Sequence, residues 1–196
     1  KRLAFAEARK EFEEALISRE VHEIVKRWKC AAEYWLGGLQ EIDHLADPGT
    51  KAIRWYELWD QFTNEDLPWR EQIFADMRQQ VFSHLVSLWQ SDPVPLPYPI
   101  GYFLLETGDL EGAINSLEAD LQRDPGSPLT HLLLANAYYC QGKISKAARH
   151  YREALLDKPL NAFEIEIKHP GLRTLWDEFE DEGMEWGWFA VYASLR

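Results

Sequence analysis

The chain has 196 residues, a formal net charge of −12, 46% hydrophobic and 13% aromatic residues, and nine tryptophans. That is enough apolar material for one domain or two small ones with a sizeable core, which excludes a disordered chain. The acidic balance argues against sequence-independent binding to nucleic acid and to anionic membranes, both of which need clustered Lys and Arg, and no run approaches the roughly 18 apolar residues of a spanning helix.

Residues 1–47 are predicted as two helices. The first carries Phe5, Ala8, Phe12, Ala15 and Leu16; it is charged throughout, unlike a signal peptide. The second aligns Val21, Val25, Trp28, Ala32, Trp35, Leu39, Ile42 and Ala46 on one seam. Its alternating steps of four and three suit a left-handed helix contact. Gly37-Gly38 lowers helix propensity in the middle and marks a close crossing or a break. Asp47-Pro48-Gly49 is predicted as a turn. Trp55, Leu58, Trp59 and Phe62 then form a short amphipathic helix. Thr63 to Pro68 offers a cap for the next, which carries Ile73, Phe74, Met77, Val81, Leu85, Leu88 and Trp89. The stretch SDPVPLPYP, from Ser91 to Pro99, ends that helix and reads as a stiff extended connector rather than a proline-rich ligand.

Beyond the connector the chain repeats itself at a lag of 34 residues. Gly108 aligns with Gly142, Ala113 with Ala147, Leu121 with Leu155 and Pro125 with Pro159. Apolar pairs fill the intervals: Ile100 with Leu134, Leu110 with Ile144, Leu117 with Tyr151. Each unit reads as helix, glycine turn, helix, proline stop, with the glycine taking a positive φ at the helix end.

These positions resemble the tetratricopeptide repeat family. The second unit shows Leu134-Ala135-x2-Tyr138, then Ala147-x3-Tyr151-x2-Ala154 and Pro159; the first shows Ile100-Gly101-x2-Leu104, then Ala113-x3-Leu117 and Pro125. The departures are Pro97 and His131 at the usual Trp positions and Asp120 where a small residue packs. The resemblance implies two repeats, at 94–127 and 128–161, with the first helix of each hairpin lining a groove that often holds an extended peptide. Its groove positions fall on Tyr98, Tyr102, Leu105 and Glu106, and on Leu132, Asn136, Tyr139 and Cys140. Family members that grip a C-terminal carboxylate use several Lys, Arg and Asn there, whereas this chain has only Asn136.

After the repeats, Phe163, Ile165 and Ile167 alternate with Glu164 and Glu166 as an extended stretch or a broken helix that ends at His169-Pro170-Gly171. Helices are predicted over Leu172–Asp181 and Met184–Leu195, capping the repeat stack. Asp177, Glu178, Glu180, Asp181, Glu182 and Glu185 read as a solvated face, with Trp176 and Phe179 turned inward.

No catalytic motif is present. Glu41-x-x-His44 and Glu166-x-x-His169 have the spacing of carboxylate-bridged di-iron bundles, but about one such match is expected by chance among many Glu and six His, His169 precedes Pro170, and both pairs read as surface residues. Cys30 and Cys140 lack metal-ligand spacing and read as buried thiols in a reducing, cytoplasmic compartment.

The expected architecture is therefore all-α, a short α-solenoid of two helical repeats (93–161) flanked by an N-terminal helical region (1–92) and a C-terminal helical cap (162–196). The expected function is a non-enzymatic protein-interaction scaffold without cofactor or metal. Its partner is a protein or peptide held by Tyr98, Tyr102, Leu105, Glu106, Leu132, Asn136 and Tyr139, with no nucleic acid and no membrane. The alternatives are a structural subunit whose groove is filled by its own helices, dimerising through the Val21–Ala46 seam, and a metal-dependent bundle enzyme.

Overall fold

The computed structural model describes residues 5–15, 22–64, 70–157 and 165–183, and among them every regular element is an α-helix. Val21, the cap near Pro68, Pro159, Phe163 and the helix expected over Met184–Leu195 lie outside the described residues, as do the side chains of Trp28, Ile73 and Phe74. The chain forms two compact units, Lys1–Val94 and Pro95–Arg196.

The first unit contains α1 (Phe5–Ala15), α2 (His22–Asp43), α3 (Pro48–Asn64) and α4 (Arg70–Ser91), each packed on the next. Val25, Ala32, Trp35 and Ile42 of the α2 seam are buried, Leu39 is half-buried and Ala46 is exposed. Trp35 anchors an aromatic core, its ring 5.2 Å from Phe62, 6.0 Å from Trp55 and 6.4 Å from Trp59, while Phe82 of α4 meets Trp59 edge-on at 5.4 Å. Such pairs add specific geometry to a large buried apolar area.

Gly37-Gly38 does not break α2. A Cβ on Gly38 would lie 2.5 Å from a methyl of Leu58, so the glycine is what lets α3 come this close. Across the same crossing the Tyr34 hydroxyl donates to the Leu58 carbonyl at 2.9 Å. The turn expected at Asp47-Pro48-Gly49 is instead the start of α3. Asp47 accepts from the Thr50 amide at 2.7 Å and Pro48 takes the first helical position, where its missing N–H is not needed. At the far end α4 stops at Ser91, and the Trp89 indole N–H donates to the Val94 carbonyl at 2.9 Å, holding the start of the proline-rich stretch.

The second unit contains α5 (Ile100–Glu106), α6 (Leu110–Arg123), α7 (Pro128–Cys140), α8 (Ile144–Asp157) and α9 (Pro170–Asp181). Helices α5 and α6 form one hairpin and α7 and α8 the second, with α7 packed on α5, α6 and α8. Surrounded in this way, α7 buries every residue from Leu132 to Tyr138. The two hairpin turns are the same structure 34 residues apart. Gly108 and Gly142 adopt φ of 86° and 77°, and the Asp109 and Lys143 amides reach back to the carbonyls of Leu104 and Tyr138 at 3.0 and 2.9 Å. This left-handed closure satisfies the last carbonyls of the helix.

The first hairpin is shorter at its entrance. Pro95, Pro97 and Pro99 prevent α5 from extending backward, so it has only seven residues and Tyr98 precedes it. The two cysteines are exposed rather than buried. Cys30 falls between the seam positions of α2, and Cys140 ends α7 beside the glycine turn.

Candidate functional site

The face shared by α5 and α7 is covered by residues 165–169, which are not helical. Asn136, in the middle of α7, is fully buried and binds this segment through its side-chain amide. Its Nδ2 donates to the Glu166 carbonyl at 2.9 Å, and its Oδ1 accepts from the Lys168 amide at 2.9 Å. One carboxamide thus straddles Ile167 and pairs with the main chain on either side, as a neighbouring strand would. The orientation of the amide follows from its partners, since only the NH2 end can serve a carbonyl.

A third partner comes from α8, where the Tyr151 hydroxyl donates to Asn136 Oδ1 at 2.6 Å. Burial raises the pKa of Tyr151 above its ordinary value, so the phenol remains a donor throughout the physiological range. Ile167 is buried beneath this clamp, 6% exposed. The Lys168 ammonium lies 3.6 Å from the Glu106 carboxylate of α5, whose side chain is only 9% exposed, and 3.1 Å from Glu166. His169 packs its ring 5.0 Å from that of Tyr139, and its Nδ1 accepts from the Leu172 amide at 3.2 Å, capping α9.

Of the groove residues expected from sequence, Glu106, Asn136 and Tyr139 therefore meet on one short extended segment. Leu105 and Leu132 are buried at 7% and 1% exposure. Tyr98 and Tyr102 are half-buried and pack on each other with ring centroids 4.8 Å apart. Cys140 is exposed. Sequence reasoning missed Tyr151, which reads as an ordinary core aromatic, and the ligand-like role of Glu166 to His169. The Glu-x-x-His spacing there serves different chemistry. Glu166 pairs with Lys168 and Arg173, and His169 caps a helix. In the other pair Glu41 binds Arg54 at 2.7 Å and His44 is exposed.

Outside the groove, the second hairpin holds a histidine pair where the first helix would usually carry Trp. His131 and His150 face each other through their Nδ1 atoms at 3.0 Å, and His150 stacks on Tyr138. The Tyr138 hydroxyl donates to Glu118, and burial followed by that contact pushes its pKa up to about 12. Lys146 sits over the same ring at 4.8 Å.

A tetratricopeptide-repeat family model matches residues 104–163, from the end of α5 through α6, α7 and α8. Over this segment, about a third of its length, the chain is similar to the tetratricopeptide repeat family. The match begins four residues after α5 starts. Tetratricopeptide repeats in general mediate protein–protein interaction and are typically non-enzymatic. Comparison with curated proteins and with solved structures returned no match. No helix among the described residues is long and apolar enough to cross a membrane.

Proposed function

We propose that this chain is a non-enzymatic protein-interaction module, an adaptor or scaffold, whose repeat groove holds an extended peptide or a partner helix. Tyr98, Tyr102, Leu105, Glu106, Leu132, Asn136 and Tyr139 form that groove, with Asn136 as its central reader. Residues 93–161 carry the interaction, 1–92 form a helical region and 162–196 the cap. The observation that carries this reading is the pairing of the Asn136 carboxamide with both sides of an extended main chain, which is how a groove recognises a peptide independently of its side chains. The exposed thiols of Cys30 and Cys140 are in keeping with a reducing, cytoplasmic setting.

Partner capture by the tagged chain tests it. Tyr102→Ala with Tyr139→Ala is expected to lose captured protein while keeping its helical circular dichroism; unchanged capture removes the groove from consideration. A second reading is favoured by the burial of Ile167, namely that residues 165–169 close the groove for good and the role of the chain is structural. Light scattering addresses its dimeric form. The burial of Val25, Ala32, Trp35 and Ile42 within the first unit leaves those seam positions little area to offer a second copy.

A further inference from the structure

The groove is not empty, and its occupant is informative. The segment from Glu166 to His169 is held less by a ladder than by a single side chain, and two of its side chains make contacts of opposite chemistry. Ile167 is withdrawn from solvent, while Lys168 extends toward Glu106 on α5. The amide of Asn136 accepts any sequence, since it bonds only the main chain of the segment. Selectivity must then come from the flanking positions, an apolar site at 167 and an acidic one at 168. A carboxylate as buried as Glu106 favours a cationic neighbour over a neutral or anionic one.

We propose that the groove selects extended peptides in which a branched apolar residue is followed by Lys or Arg, and that Ile167-Lys168 is a resident copy of this ligand which a partner must displace. The proposal rests on the groove-binding reading above and adds to it the chemistry of the partner. A ligand tethered to its own site competes at an effective concentration on the order of millimolar, so the intact chain binds an external peptide weakly. Weakening the resident segment raises the apparent affinity by the fraction of grooves it releases.

The test uses the full chain and a fluorescein-labelled synthetic peptide with the sequence of residues 163–169, followed by anisotropy. Ile167→Asp in the chain disables the resident copy and is expected to bind the peptide at least about tenfold more tightly than the unaltered chain. Lys168→Glu, which changes a partly exposed residue and adds no charge to the core, is the second opened form if Ile167→Asp loses its helical circular dichroism. Against either opened form, a peptide with Glu in place of its Lys is expected to bind about tenfold more weakly, and Glu106→Lys combined with Ile167→Asp, where the resident Lys168 is now repelled, should restore it. Equal binding of the two peptides overturns the proposal, as does absence of binding to both opened forms. A dimer of the unaltered chain that is lost in Lys168→Glu also overturns it, in favour of segment exchange between copies. If the peptide fails while partner capture still depends on Tyr102 and Tyr139, only the ligand chemistry is wrong. If the charge exchange works while capture ignores those tyrosines, the ligand chemistry stands and the adaptor reading falls.

Discussion

Tyr151 donates its hydroxyl to Asn136 Oδ1 at 2.6 Å, joining the second helix of the repeat to the residue that reads the extended segment. The two substitutions that break this contact are unequal. Tyr151→Phe removes one donor and leaves Asn136 Oδ1 still served by the Lys168 amide, at a cost of about 0.5–1.5 kcal/mol. Asn136→Leu removes the side-chain partner of the Glu166 carbonyl and one partner each of the Tyr151 hydroxyl and the Lys168 amide, and each group left dry costs about 1–3 kcal/mol. Urea denaturation is expected to rank the unaltered chain above Tyr151→Phe and that above Asn136→Leu. Equal loss in the two variants would mean that the segment lifts off and rehydrates, without penalty, when its clamp is gone.

Adjacent glycines in α2 should respond in opposite directions. A Cβ on Gly38 meets Leu58 at 2.5 Å, whereas one on Gly37 meets nothing within 4 Å. Gly38→Ala must push α3 away or force Leu58 off its rotamer, and is expected to destabilise the first unit by about 1–3 kcal/mol. Gly37→Ala only removes backbone freedom from the unfolded chain and improves helix propensity, a gain of about 0.5–1 kcal/mol. Thermal unfolding of the two single variants checks this, and a loss in both would refute the assignment of the close crossing to Gly38 alone.

The two glycine turns were readable in advance because a backbone requirement leaves a residue-level mark. Gly108 and Gly142 occur at one lag, and only a residue without a Cβ takes their φ cheaply. The α2 seam was readable for a similar reason, since burial of one face imposes a period. The clamp was not. Asn136 finds its partners 30 and 32 residues away in a segment with no repeat register, and nothing periodic ties them together. The resemblance put Asn136 in the groove, but what occupies that groove depends on the path of a single non-helical stretch. The cysteines failed differently. Composition makes Cys a buried residue on average, yet both sit at helix positions that the packing turns outward.

At Gly142 the space around a new Cβ is open, so a substitution there isolates the backbone term. With φ at 77°, Gly142→Ala is expected to cost about 1–2 kcal/mol, and Gly142→Asn less, because Asn tolerates the left-handed region better. Gly108→Ala, at φ 86° and also unobstructed, should cost a similar amount if the two turns are equivalent. Chemical denaturation of the three variants gives the comparison. A markedly larger loss at one glycine would show that its hairpin depends more strongly on the turn.

The histidine pair makes stability depend on pH in a direction that can be worked out. His131 Nε2 lies 3.1 Å from the Pro125 carbonyl and must carry a hydrogen to bond it, which leaves a neutral His131 with a bare Nδ1 to accept from His150. Burial lowers the pKa of His150 from 6.5, and the neighbouring His131 and Arg149 lower it further, against weaker opposition from Glu118 and Glu153. The unfolded chain therefore takes up this proton at a higher pH than the folded one. The stabilising contribution is fully present above 6.5 and is lost as pH falls through the depressed value. His84 is shifted the same way by burial and by Lys51, so it adds to the slope. Urea titrations from neutral to mildly acidic pH should show stability declining, with His150→Gln and His84→Gln each flattening the curve. If His150→Gln leaves the slope unchanged, protonation of this pair is not what the folded state resists.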